Sequence, residues 1–176
     1  MSSSKSPSLI DAESAAEMFV AVRSVAEHSF FAVAEPQDDA AFGRLARQVR
    51  QWLVATVRLE NGSIAGAISC TLGDDLARAL FDAFTGRDPA DPAPTTDQIH
   101  DLVGEFANMV CGAWLRRVAG AEISTLGHPV VAPAAAPGAA GDLRLLVAVD
   151  GRPLLVDLQL PDRPGRDAAD RPAMRG

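Results

Sequence analysis

Apolar residues first recur at helical spacing near the N-terminus, where Leu9, Phe19, Val22, Val25 and Ala26 predict a long amphipathic helix over about 9–33, closed before Pro36. Residues 37–51 show no clear period. Residues 53–60 then alternate loosely, residues 63–72 return as their partner, and Asn61-Gly62 between them supplies the two positive-φ positions of a type I′ hairpin turn. Residues 74–85 have an acidic first turn, an apolar stripe of Leu76, Ala79, Leu80 and Phe84, and Gly86 placed to close a short helix. After a Pro-rich connector, residues 95–118 form a second long helix, opened by Thr95 and Gln98 in capping-box spacing. Residues 143–149 and 154–160 are β-rich runs around Asp150-Gly151, a second hairpin signal. Residues 132–141 lack any large apolar side chain and are expected to be a surface loop. The order predicts an α+β fold, with two long helices and a short helix packed on a largely antiparallel β-sheet. Polar, Ser- or Pro-rich ends at 1–8 and 161–176 are expected to be disordered tails around a single domain at 9–160.

Composition narrows the functional classes. With 48% hydrophobic and 22% charged residues the chain is an ordinary globular domain. Its 16 basic and 23 acidic side chains leave a net charge of −7, so nucleic acid and anionic membrane are poor partners. No apolar run approaches the roughly 20 residues needed to span a bilayer, and a cytoplasmic location is expected. His28, His100 and His128 show no metal-ligand spacing, and Cys70 and Cys111 are read as small buried hydrophobes without a function.

The second long helix carries the candidate chemistry. At about 100° per residue, Ile99, Leu102, Val103, Phe106, Met109, Val110 and Ala113 form one core stripe. Asp101, Glu105, Asn108 and Gly112 fall together elsewhere, in a polar arc about 60° wide that is expected to face solvent. Glycine in a helix costs about 1 kcal/mol and asparagine somewhat less, yet Gly104, Asn108 and Gly112 all lie inside this one. The chain's other asparagine, Asn61, is explained by its turn, and Asn108 has no such local reason. A bare glycine one turn beyond it lets a partner's backbone come close. His100 lies off this seam and is read as a solvated or boundary residue.

Asp101-x-x-x-Glu105-x-x-Asn108, followed by Met109 and Gly112, resembles the signature of the CheX/CheC/FliY family of phosphatases, which act on phosphorylated CheY-type response regulators. The likeness runs from about Trp52 to Leu160 and includes the hairpin, the short helix, Gly127-His128-Pro129 and the closing hairpin in family order. CheC-type relatives carry the motif on two helices. Here the matching register of the first helix holds Asp11, Ala15 and Met18, so one site remains, as in CheX.

The resemblance implies a phosphatase that dephosphorylates the phosphoaspartate of a CheY-like response regulator. Asn108 would position the attacking water and Glu105 would pair with the receiver's lysine. Asp101, Gly104 and Gly112 would contact the partner. No cofactor is expected on this chain, because the Mg²⁺ is held by the partner receiver domain. A homodimer is also implied. Two other readings stay open: a non-catalytic adaptor that binds receiver domains through the same helix, and a purely structural dimer.

Overall fold

The computed structural model describes residues 12–61, 64–118, 125–138 and 141–160. The tails expected at 1–8 and 161–176 lie outside these residues. The first helix, α1 (Ala12–Phe30), stops well before Pro36 because the chain reverses at Phe31, whose φ is +53°. The Ala32 amide then donates to the Ala26 carbonyl at 3.0 Å, which closes the end of the helix. A short strand, β1 (Ala34–Pro36), follows. The unpatterned stretch after it contains a helix, α2 (Asp39–Ala46), started by Asp38, whose carboxylate accepts from the Ala41 amide at 2.7 Å.

The remaining elements are β2 (Trp52–Asn61), β3 (Ile64–Gly73), α3 (Asp74–Thr85), α4 (Thr96–Val118), β4 (Thr125–Leu126), β5 (Val130–Ala134), β6 (Leu143–Val149) and β7 (Arg152–Gln159). The strands form one seven-stranded sheet in the order β1-β6-β7-β3-β2-β4, with β5 also on β2, and every pairing is antiparallel. The fold is therefore α+β as predicted, with α2 as an added helix.

Two local expectations are corrected. Asn61 pairs with Ile64, so it belongs to the ladder; Gly62 lies outside the described residues. The loop expected to begin at Ala132 starts later, because Ala132, Pro133 and Ala134 continue β5 along β2. Small side chains suffice there, and Pro133 is tolerated because β5 is an edge strand. The apolar strands β6 and β7 are interior to the sheet; its edges are β1 and the β4/β5 side, each carrying a proline. The closing hairpin turns as predicted, with φ of +46° at Asp150 and +73° at Gly151.

Strand alternation gives the sheet two unlike faces. On one, Leu53, Ala55, Val57, Ile68, Cys70, Leu72, Val147, Leu154, Val156 and Leu158 are buried with residues of α1, α3 and α4 in the main core. Cys70 and Cys111 are both buried and unpaired within it; burial pushes the Cys111 thiol up to about 12 and the Cys70 thiol higher still, so they serve as inert small hydrophobes. On the other face a smaller cluster of Phe42, Trp52 and Leu155 attaches α2. A polar row crosses that face at a single register level, through Arg144, Asp157, Ser69 and Thr56. The main-core layer holds α4 between α1 and the β4/β5 edge, which leaves one side of α4 facing a groove.

Candidate functional site

The capping box that opens α4 is formed: the Thr95 amide donates to Gln98 Oε1 at 2.9 Å and the Gln98 amide to Thr95 Oγ1 at 3.3 Å. It sets the phase of the helix. Ile99, Leu102, Val103, Phe106 and Val110 then fall into the core, and Phe106 packs edge-on to Phe30 of α1 at 5.4 Å. With that stripe buried, the polar seam turns outward along the line where α4 meets α1.

There Glu105, Asn108, Met109, Gly112 and Arg116 of α4 line a groove of about 540 Å³. Ser24, Val25, His28 and Ser29 of α1 form one wall, and Leu126, Gly127 and His128 form the other. The second wall is fixed by the Gly127 amide, which donates to the Arg58 carbonyl of β2 at 3.0 Å. His28 Nδ1 donates to the Ser24 carbonyl at 2.8 Å, and Nε2 has no hydrogen bond among the described residues.

Glu105 and Asn108 are thus brought into one groove, one helical turn apart. Asn108 is not the solvent-facing residue expected. It is half-buried, and its Oδ1 is fully enclosed without a hydrogen-bond partner among the described residues. An enclosed amide oxygen of this kind costs about 1–3 kcal/mol, a cost shared by the enclosed and equally unpartnered Trp114 Nε1 in the core. Glu105 is exposed and has no cation within ion-pair distance among the described residues.

The other predicted residues divide. Gly112 lines the groove, and a Cβ there would meet Arg116 Nη1 at 3.6 Å and Leu126 Cδ1 at 3.9 Å, ordinary contacts with side chains only. Asp101 is exposed but sits on the other side of Glu105, in a smaller apolar hollow with Phe81, Phe84, Gln98 and Leu102. Gly104 is corrected: it is buried, and a Cβ on it would lie 3.1 Å from Pro129 Cγ. Its bareness serves the close passage of the chain's own 129–131 segment, and no partner surface is left at that position. The expectation of a single motif fits α1, where Met18 is fully buried and Ala15 packs against the core; Asp11 lies outside the described residues.

Sequence reasoning missed His28 and Arg116 as groove residues. Arg116 was within reach, since it continues the seam one turn past Gly112. His28 was not, because only the packing of α1 against α4 carries it there. Among the described residues no group of three or more His, Cys, Asp and Glu side chains could hold a metal ion, and no helix is long and apolar enough to cross a membrane.

The geometry meets its relatives at this point. Residues 53–135, which span β2 to β5 and include the whole seam of α4, match the family model for the chemotaxis phosphatase CheX. The fold is similar to that of the chemotaxis protein CheX from Vibrio vulnificus, with a TM-score of 0.66 at 17% identity over 85% of this chain and 97% of that one. It is similar too to a chain of the CheX–CheY–BeF₃–Mg²⁺ complex from Borrelia burgdorferi, with a TM-score of 0.57 at 15% identity over 87% and 99%. Thermotoga maritima FliY gives 0.54 at 12% identity over 88% and 93%. No match to a curated protein sequence is found. Over residues 53–135 the chain is thus similar to the CheX family model, and its fold is that of the CheX and FliY chemotaxis proteins it resembles.

Proposed function

We propose that the protein dephosphorylates the phosphoaspartate of a CheY-like response regulator. One observation carries this reading: Glu105 and Asn108 share a groove on α4, and the enclosed Asn108 Oδ1 lacks a partner. The CheX family match and a similar fold in a CheX–CheY complex support it.

In the reaction, the oxygen of a water molecule attacks phosphorus in line, the bond between phosphorus and the aspartate oxygen breaks, and inorganic phosphate leaves a free carboxylate. The Asn108 amide, turned from its enclosed position toward the docked receiver, accepts a hydrogen from that water and aims its lone pair, a task of positioning that needs no titrating group. Glu105 pairs with the receiver's lysine and fixes the depth of insertion. A Mg²⁺ held by the receiver would supply charge neutralisation at the phosphoryl group, and no residue of this chain is needed to hold it. We also propose a homodimer joined through a sheet edge, either β1 or the β4/β5 side; light scattering at the mass of one chain at micromolar concentration rejects it.

The test is phosphate release from phosphorylated receiver domains, timed with and without the protein. Accelerated loss supports the phosphatase. Binding to the receiver without acceleration favours an adaptor, and no binding to any receiver rejects both.

A further inference from the structure

Along α4 the groove presents, in order, a carboxylate, an amide, a bare glycine and a guanidinium: Glu105, Asn108, Gly112 and Arg116. The last has no part in the reading above, and this inference rests on that reading. Helix side chains lean toward the N-terminus, and Arg116 does so here: its Nη1 lies 3.6 Å from where a Gly112 Cβ would be. The guanidinium therefore lies back over Gly112, a position about one turn, roughly 6 Å, from that of Asn108. The neighbouring Arg117 is ion-paired with Glu17, whereas Arg116 is exposed and has no carboxylate within ion-pair distance among the described residues. The groove's lone carboxylate, Glu105, stands beyond Asn108 at the other end. An arginine held at a groove, unpaired, beside an amide acceptor with no donor is a ready oxyanion contact, because its planar fork matches phosphoryl and carboxylate oxygens.

We propose that Arg116, seated by the bare Gly112, takes an oxyanion of the docked receiver next to the water held by Asn108. That oxyanion is either a phosphoryl oxygen of the phosphoaspartate or a carboxylate beside it. Arg116 thereby acts as a second electrostatic anchor, of opposite sign to Glu105, and sets the orientation of the receiver in the groove.

The experiment compares wild type, Arg116→Gln and Arg116→Lys, with Arg44→Gln on α2 as the charge control. It reads kcat and KM for phosphate release, and Kd for the Mg²⁺-loaded receiver with and without beryllofluoride. Arg116→Gln is expected to lose about tenfold or more in kcat/KM or in affinity, with partial recovery in Arg116→Lys and none of this in Arg44→Gln. A fall in kcat, with affinity lost only for the beryllofluoride form, assigns the phosphoryl oxygen. Equal loss of affinity for both receiver forms assigns the neighbouring carboxylate. If Arg116→Gln stays within about twofold of an active or binding wild type in every measure, the proposal is overturned and the phosphatase or adaptor reading stands. If wild type neither binds nor turns over any receiver, that reading fails first and takes this one with it.

Discussion

Two polar places on opposite faces of the sheet are built in contrasting ways. On the α2 side, Asp157 is 6% exposed and accepts from Arg144 Nε at 2.8 Å and Nη2 at 2.9 Å. The same Nη2 donates to the Gly138 carbonyl at 2.9 Å, and the bonds to Asp157 hold the Arg144 pKa above its ordinary value. Every group in that cluster faces another group of this chain. On the α4 side, Asn108 Oδ1 is enclosed without a donor, while Glu105 and Arg116 stand at the groove without ion-pair partners among the described residues. The first place ties β6 to β7 and anchors the segment ahead of them. The second carries an unmet demand for hydrogen bonds and charge that folding alone does not relieve. An enclosed unpartnered atom does not by itself mark a site, since Trp114 Nε1 in the core is also without a partner among the described residues; what sets the α4 groove apart is that Asn108 lines it between Glu105 and Arg116, two charges that folding leaves unpaired there.

The largest expected effect comes from Asn108→Ala. Loss of the water-holding amide should lower stimulated dephosphorylation by about a hundredfold or more. Stability should hold or rise, since alanine is the better helix former and an unpaired enclosed oxygen is removed. Phosphate-release kinetics and a thermal melt on the same sample check both halves; an early melt or full activity breaks the contrast. Asp157→Ala is the mirror experiment. It strands Arg144 and should cost about 3 kcal/mol in denaturant unfolding, while activity per folded molecule is unchanged.

Most of this contrast was legible in α4 and little of it elsewhere. The capping box, the core stripe and the placement of Glu105 and Asn108 on one seam all follow from local spacing, because a helix fixes its own geometry. Burial of Asn108 was not legible. It depends on the wall made by Leu126, Gly127 and His128, which reaches α4 only through pairing with β2. Gly104 misled for the same reason: a bare helix position looks alike whether a partner or the chain's own Pro129 fills it. The missed α2 and the misread β5 are short elements whose stability comes from the sheet they join, a non-local cause that periodicity does not record.

Glu105→Ala sharpens the α4 side of the comparison more gently. The residue is exposed, so the fold should be unaffected, and receiver binding should weaken by about tenfold with slower turnover following from poorer docking. Titration of a receiver domain by fluorescence or calorimetry reads the affinity. Unchanged affinity and rate would remove the lysine-pairing role while leaving Asn108 untouched.

The smallest effect tests whether every local cost in this molecule belongs to the site. Phe31 has a φ of +53° and its side chain is 81% exposed, so the backbone is held where glycine is usual and the ring gains little from burial. The cost is of order 1 kcal/mol, but it differs in kind from that of Asn108, since the closing hydrogen bond from the Ala32 amide to the Ala26 carbonyl is made. Phe31 is not among the residues that line the groove. Phe31→Gly relieves the strain and partly offsets that gain by loosening the unfolded chain, so a net stabilisation of about 0.5 kcal/mol is expected with dephosphorylation unchanged. Denaturant midpoints and phosphate release measure the two. Stabilisation with lost activity would mean that the exposed ring touches the receiver, and the partner-facing surface would then extend from the groove past the end of α1.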